Sequence, residues 1–86
     1  AAYQPENAAI KLYPNPAADY CYLNLTELPQ ETAQVEVFSI TGQVLMQKTV
    51  TAGNIIEVDI LSLSAGKYLV RVKSNTFLKT LHLVKE

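Results

Sequence analysis

The sequence predicts a small all-β domain, a sandwich or barrel of about seven short strands. Three observations carry that prediction. Apolar and polar residues alternate at period two along several segments. The clearest is Lys67–Lys73, where Tyr68, Val70 and Val72 share one side and Lys67, Leu69, Arg71 and Lys73 the other. Turn-forming residues punctuate the chain at roughly 8–12-residue spacing. No segment carries a convincing run of helical period. The chain has 86 residues, the size of one domain, and 49% of them are apolar, enough for one modest core and against disorder.

The first nine residues, Ala1–Ala9, have no periodic pattern and read as a linker; the domain proper spans 10–86. The linker has neither the basic start nor the apolar stretch of a signal peptide. The first strand is expected over Ile10–Tyr13. Pro14-Asn15-Pro16 stops it, because two of those three residues lack a backbone donor and have a fixed φ; the simplest reading is a rigid turn. Asp19–Leu25 follows, with Cys21, Leu23 and Leu25 facing one way and Tyr20 and Tyr22 the other. Thr26–Thr32 is a loop around Pro29.

Gln34–Ser39 alternates Val35 and Val37 with Glu36 and Phe38. Thr41-Gly42 suits a tight hairpin into Gln43–Val50, since glycine tolerates the positive φ such a turn needs. Ala52-Gly53-Asn54 reads as a second hairpin, into Asn54–Ile60, and Ser74-Asn75 as a third. Ser64-Ala65-Gly66 is a corner entering the Tyr68 strand, with Gly66 as its turn glycine. The expected core is Val35, Val37, Phe38, Ile56, Val58, Tyr68, Val70 and Val72.

The last strand, Thr76–Val84, is different. Phe77, Lys79, Leu81 and Leu83 share one face and Leu78, Thr80, His82 and Val84 the other, so both faces mix apolar and polar residues. Its register is weakly specified, as expected at a sheet edge or in a strand meant to meet something besides its own core. Few core contacts are expected of His82–Glu86.

Composition excludes several functions. Seven basic and eight acidic residues give a formal net charge of −1, with no basic footprint for nucleic acid and no polybasic face for an anionic membrane. No apolar run approaches the ~20 residues of a membrane helix. A single Cys excludes a disulfide within the chain, and Cys21 reads as a small hydrophobe. A single His, His82, leaves no multi-histidine metal site and no credible nucleophile–base pair. Glu57 and Asp59 share a strand face; calcium binding or glycoside hydrolysis is conceivable for such a pair, but the solvated side of a sheet is the simpler reading. No cofactor, metal or catalytic group is expected.

Four stretches occur in a recognisable order: Leu12-Tyr13-Pro14-Asn15-Pro16-Ala17-Ala18-Asp19, Val35–Val44 with its Thr41-Gly42 turn, Ile60–Val72 with its Leu63-Ser64-Ala65-Gly66-Lys67-Tyr68 corner, and Lys79–Glu86. Together they resemble the type A C-terminal sorting domain of the type IX secretion system of Bacteroidetes, over Ile10 to Glu86. The sequence departs from the family's usual pattern at Ser39, where Asp is common, and at His82 and Glu86, which dilute a commonly more basic end.

The resemblance implies an immunoglobulin-like antiparallel β-sandwich of about seven strands, and a non-enzymatic role. It implies a cargo domain N-terminal to this segment and export through the type IX translocon, from periplasm to outer-membrane surface or medium. It further implies removal by a sortase-like peptidase, with the cut expected in the loose Ala1–Ala9. Translocon recognition is expected in the last strand, at Lys79, Leu81, His82, Leu83, Val84, Lys85 and Glu86, which can offer backbone for strand addition and a free end for threading. Pro14, Asn15, Pro16, Gly42 and Gly66 are expected to act as structural turns. No nucleic acid or small-molecule substrate is expected as a partner, and the oligomeric state is open. The rival reading is an adhesion or carbohydrate-binding sandwich of a surface protein, using Tyr20 and Tyr22. Sandwich folds host many functions, so fold alone does not separate the two.

Overall fold

The computed structural model describes residues 10–86, which form seven strands and no helix. They are β1 (Lys11–Tyr13), β2 (Tyr20–Asn24), β3 (Thr32–Ser39), β4 (Val44–Thr51), β5 (Ile55–Asp59), β6 (Gly66–Lys73) and β7 (Leu78–Lys85). The linker, with its expected cleavage region, lies outside the described residues.

All pairing between strands is antiparallel, in a three-stranded sheet of order β1-β2-β5 and a four-stranded sheet of order β4-β3-β6-β7. The alternating side chains explain why the sheets stack. Cys21 and Leu23 of β2 and Val58 of β5 are buried, as are Val35 and Val37 of β3, Val70 and Val72 of β6, and Leu83 of β7. They form one hydrophobic cluster. Each inner face is useless in water alone, and packing the two together removes both from solvent. Leu25, Leu28, Ile60 and Phe77 close the ends of the sandwich.

The entry to β6 carries an immunoglobulin-type feature. The Tyr68 hydroxyl donates a hydrogen bond to the carbonyl of Ser64, four residues upstream. This is the tyrosine-corner arrangement of such sandwiches. Gly66 lies within that corner at φ 154°, with open space where a Cβ would be. Its constraint is therefore backbone conformation and not crowding. Gly66→Val should lower stability by at least ~1 kcal/mol, because a β-branched residue is strained there. A urea midpoint unchanged from wild type would show that the corner does not need glycine.

The structure corrects two expectations. Ala52-Gly53-Asn54 is no hairpin: β4 and β5 lie in different sheets, and the segment carries the chain across the end of the sandwich. Its backbone is held by other loops, with Ala52 N donating to Glu31 O at 2.9 Å, Gly53 N to Leu25 O at 2.9 Å, and Leu25 N to Asn54 O at 3.0 Å. The sharp reversal was legible from the glycine, which sits at φ 92°. Which strand came next to which was not, because an arch and a hairpin use the same turn residues. The apolar side of β5 instead matches that of β2, with Val58 opposite Cys21 and Ile56 opposite Leu23.

Phe38 is the second correction. It is half-buried and outside the sandwich core, with the Arg71 guanidinium 4.7 Å from its ring centroid. Strand alternation requires this once Val35 and Val37 point inward. Ile56 and Tyr68 are half-buried and pack against the core from its margin.

Candidate functional site: the terminal strand and the loop that holds it

β7 pairs with β6 along its whole length, from Leu78 opposite Lys73 to Lys85 opposite Gly66. Its mixed faces resolve in three dimensions. Phe77 and Leu83 are buried and Leu81 half-buried on the inner side, while Leu78, Thr80, His82 and Val84 lie outside. Lys79 and Lys85 share the inner alternation, and both are half-buried.

As the outermost strand, β7 should leave one edge unpaired. The end of that edge is occupied by the loop after β1. Asn15 Nδ2 donates to His82 O at 2.8 Å, and Asn15 Oδ1 accepts from Val84 N at 3.0 Å. Ala17 N donates to Val84 O at 2.8 Å, and Glu86 N donates to Ala17 O at 2.8 Å. Ala17 also forms a parallel bridge with Lys85. The local chemistry explains the clamp. Pro14 and Pro16 have fixed φ and no N–H, so neither competes as a donor. The Asn15 amide carries one donor group and one acceptor, like a peptide unit, and takes a neighbouring strand's place. Ala17 is completely buried, and its small side chain lets the loop lie against the strand.

The sequence treated these segments separately, one as a turn and the other as a signal. The structure brings Asn15 onto His82 and Val84 across 67 and 69 positions of chain. It also overturns two expectations about the terminus. His82–Glu86 is not peripheral to the core, because Leu83 is one of the largest fully buried side chains. Nor is the end free or its edge open to strand addition: Asn15 and Ala17 already pair with it. Carbonyls and amides of alternate residues face one edge, so the remaining open edge of β7 is that of Leu78 and Thr80.

The outer face of the four-stranded sheet carries a polar row. Gln47, Glu36, Arg71 and Thr80 are successive partners across β4, β3, β6 and β7. Glu36 is only 8% exposed, yet its carboxylate is well satisfied. Arg71 donates to Oε1 from Nε at 2.9 Å and from Nη2 at 2.7 Å, and Gln47 Nε2 lies 3.5 Å from Oε2. Beside it, Phe38, Leu69 and His82 form an adjoining row.

Charge is segregated in a way the net value hides. Five of the seven basic residues, Lys67, Arg71, Lys73, Lys79 and Lys85, lie on β6 and β7, and no acidic residue stands between Gly66 and Lys85. These cations share no single face, since Lys67, Arg71 and Lys73 alternate outward, with Arg71 paired to Glu36, while Lys79 and Lys85 take the inner alternation; what the net charge hides is the run of cations along the chain. Counting charge by segment would have found it.

The other singled-out residues are simpler. Cys21 is fully buried, and desolvation pushes its thiol up to about 11, away from the reactive thiolate. Gly42 has φ 96° in the β3–β4 turn, where its N–H donates to Ser39 O at 2.9 Å. Glu57 and Asp59 lie exposed, opposite Tyr22 and Tyr20. Tyr22 also meets Tyr13, with ring centroids 5.9 Å apart and planes tilted by 33°. Among the described residues, no three His, Cys, Asp or Glu side chains converge to hold a metal ion.

Comparison with known proteins gives one family. The model described as the secretion system C-terminal sorting domain matches residues 11–86. No curated protein matches the chain.

Proposed function

The chain belongs to the type IX secretion C-terminal sorting domain family, matched from residue 11 to residue 86, and from that premise we propose how the domain performs its sorting. The family marks a cargo protein for export to the cell surface or the extracellular space by the type IX system. In our reading the cargo waits in the periplasm with this sandwich folded at its end. The translocon recognises Lys79–Glu86 as part of that folded surface and not as a loose tail. A sortase-like peptidase then cuts within residues 1–9, and the cargo is attached to the surface or released. The domain itself catalyses nothing; its work is to be bound.

One observation carries this reading: the last residues are pinned in a single presentation by Asn15 and Ala17. A recognition element held in its bound shape avoids the ordering cost that a disordered tail incurs on binding. The outward residues His82 and Val84 are then the accessible ones.

The test is export itself. Ile10–Glu86 fused behind a periplasmic reporter should carry that reporter to the surface of a bacterium with a type IX system. His82→Asp combined with Val84→Asp should cut the surface reporter by about tenfold or more, with the purified domain still folded. Lys85→Ala alone should do less, because one partly exposed charge contributes little. A wild-type fusion that stays in the periplasm would end the sorting reading. If the purified domain also bound glycans through Tyr20 and Tyr22, the adhesion reading would replace it.

A further inference from the structure

We propose that the outer face of β6 and β7, beside the β3–β4 turn, docks an acidic, extended protein segment that places apolar side chains on either side of Leu69. The inference deepens the sorting reading, whose translocon would supply the segment.

The surface has two adjoining depressions. The larger, about 520 Å³, is lined by Ile40, Lys67, Tyr68, Leu69, His82, Leu83 and Val84. The smaller, about 220 Å³, is lined by Phe38, Gly42, Leu69, Arg71 and Thr80. Leu69 is the ridge they share. Lys67 and Arg71 flank that ridge at positions two before and two after it on β6. Residues two apart on a strand are separated by ~6.5–7 Å, the same distance that separates same-side residues of an extended peptide. A segment lying along β6 therefore meets each depression with alternate side chains.

Ile40 and Val84 line the larger depression, and Val44 is the register partner of Phe38 in the smaller. Ile40 is 70% exposed at the turn, Val44 48% exposed at the start of β4, and Val84 36% exposed on β7. Scattered exposed apolar residues need no explanation, whereas a cluster around a depression marks a binding surface.

Charge identifies the occupant. Neither depression is lined by a carboxylate side chain. Of the carboxylates nearest in the sheet register, Glu36 is already taken by Arg71, and Glu86 stands two residues beyond Val84 at the margin of the larger depression. Lys67 and Lys73 stand on the outer face of a ribbon that has no acidic residue between positions 66 and 85. A partner bearing carboxylates is attracted and a basic one repelled. Two separate recesses on either side of one ridge favour a peptide over a lipid surface, which presents no alternating anchors.

The experiment uses the same reporter fusion. Ile40→Glu and Lys67→Glu, made separately, should each reduce the surface reporter at least about tenfold, with the denaturation midpoint of the purified domain unchanged. Ile55→Glu and Leu61→Glu replace apolar residues of comparable exposure away from this face, at 53% and 60%, and should export at the wild-type level. If wild type is exported and Ile40→Glu matches it, the docking surface is wrong while the sorting reading stands. If the wild-type fusion is not exported, both fall. Sedimentation showing a dimer that Ile40→Glu dissociates would assign the face to a second copy. Sedimentation with vesicles of anionic lipid, lost in Lys67→Glu, would assign it to a membrane. Either result overturns the proposal.

Discussion

A chain ending at Leu81 should lose its cooperative unfolding transition at 25 °C. Deletion of His82–Glu86 removes Leu83, which is 1% exposed at the centre of the core. Truncating a buried leucine to alanine alone costs about 2–5 kcal/mol. The deletion also removes the hydrogen bonds of Asn15 and Ala17 to the strand, and the pairing of β7 with Gly66 to Leu69 of β6. The first half of β6 would be left as an uncovered edge. A domain of this size is stable by about 4–13 kcal/mol, so losses of this order consume most or all of it. Leu83→Ala is the graded version, expected to lower the urea-derived stability by about 3 kcal/mol while keeping a single transition. A truncated chain unfolding cooperatively near the wild-type midpoint would show that β7 contributes little. The result matters for function: loss of export on truncation would report loss of fold as readily as loss of a signal. Substitutions at the outward residues are the cleaner probe.

The second large effect is expected at Asn15. Asn15→Ala leaves His82 O and Val84 N without their side-chain partners. Each such bond has a net worth of ~0.5–1.5 kcal/mol, and water reaches this edge, so a combined loss of about 1–2 kcal/mol is expected. The local consequence should be larger than the global one. Amide exchange at Val84 should speed up well beyond that of Val70 or Val72, whose side chains are completely buried. Asn15→Asp retains an acceptor for Val84 N but loses the donor to His82 O, and should fall between wild type and alanine. Equal exchange at Val84 in all three proteins would mean that Ala17 alone holds the strand.

Much of the candidate site was written in residue types. Pro14-Asn15-Pro16 and Lys79–Glu86 both stand out in the sequence alone. Their relationship does not, since nothing in either segment says that one lies against the other. The charge ribbon was legible too, but only to a count by segment; a net value averages it away. Ile40 and Leu69 gave no signal at all. An apolar residue beside a turn or on the nominally polar side of a strand looks the same whether it covers a core or faces water.

The sequence by itself determined where the strands lie, which side of most of them is apolar, and where the chain turns. These properties are local: side chains alternate every residue, and proline and glycine act on their own dihedral angles. The family was determined there as well, by ordered short motifs. Tertiary structure alone decided that the chain crosses between sheets at Gly53, that Phe38 lies under Arg71 on the outside, and that Asn15 completes the edge of β7. Each depends on which strands become neighbours. Pairing is chosen by the summed burial of whole faces across the chain, and a side-chain amide finds its partner only after that choice has been made.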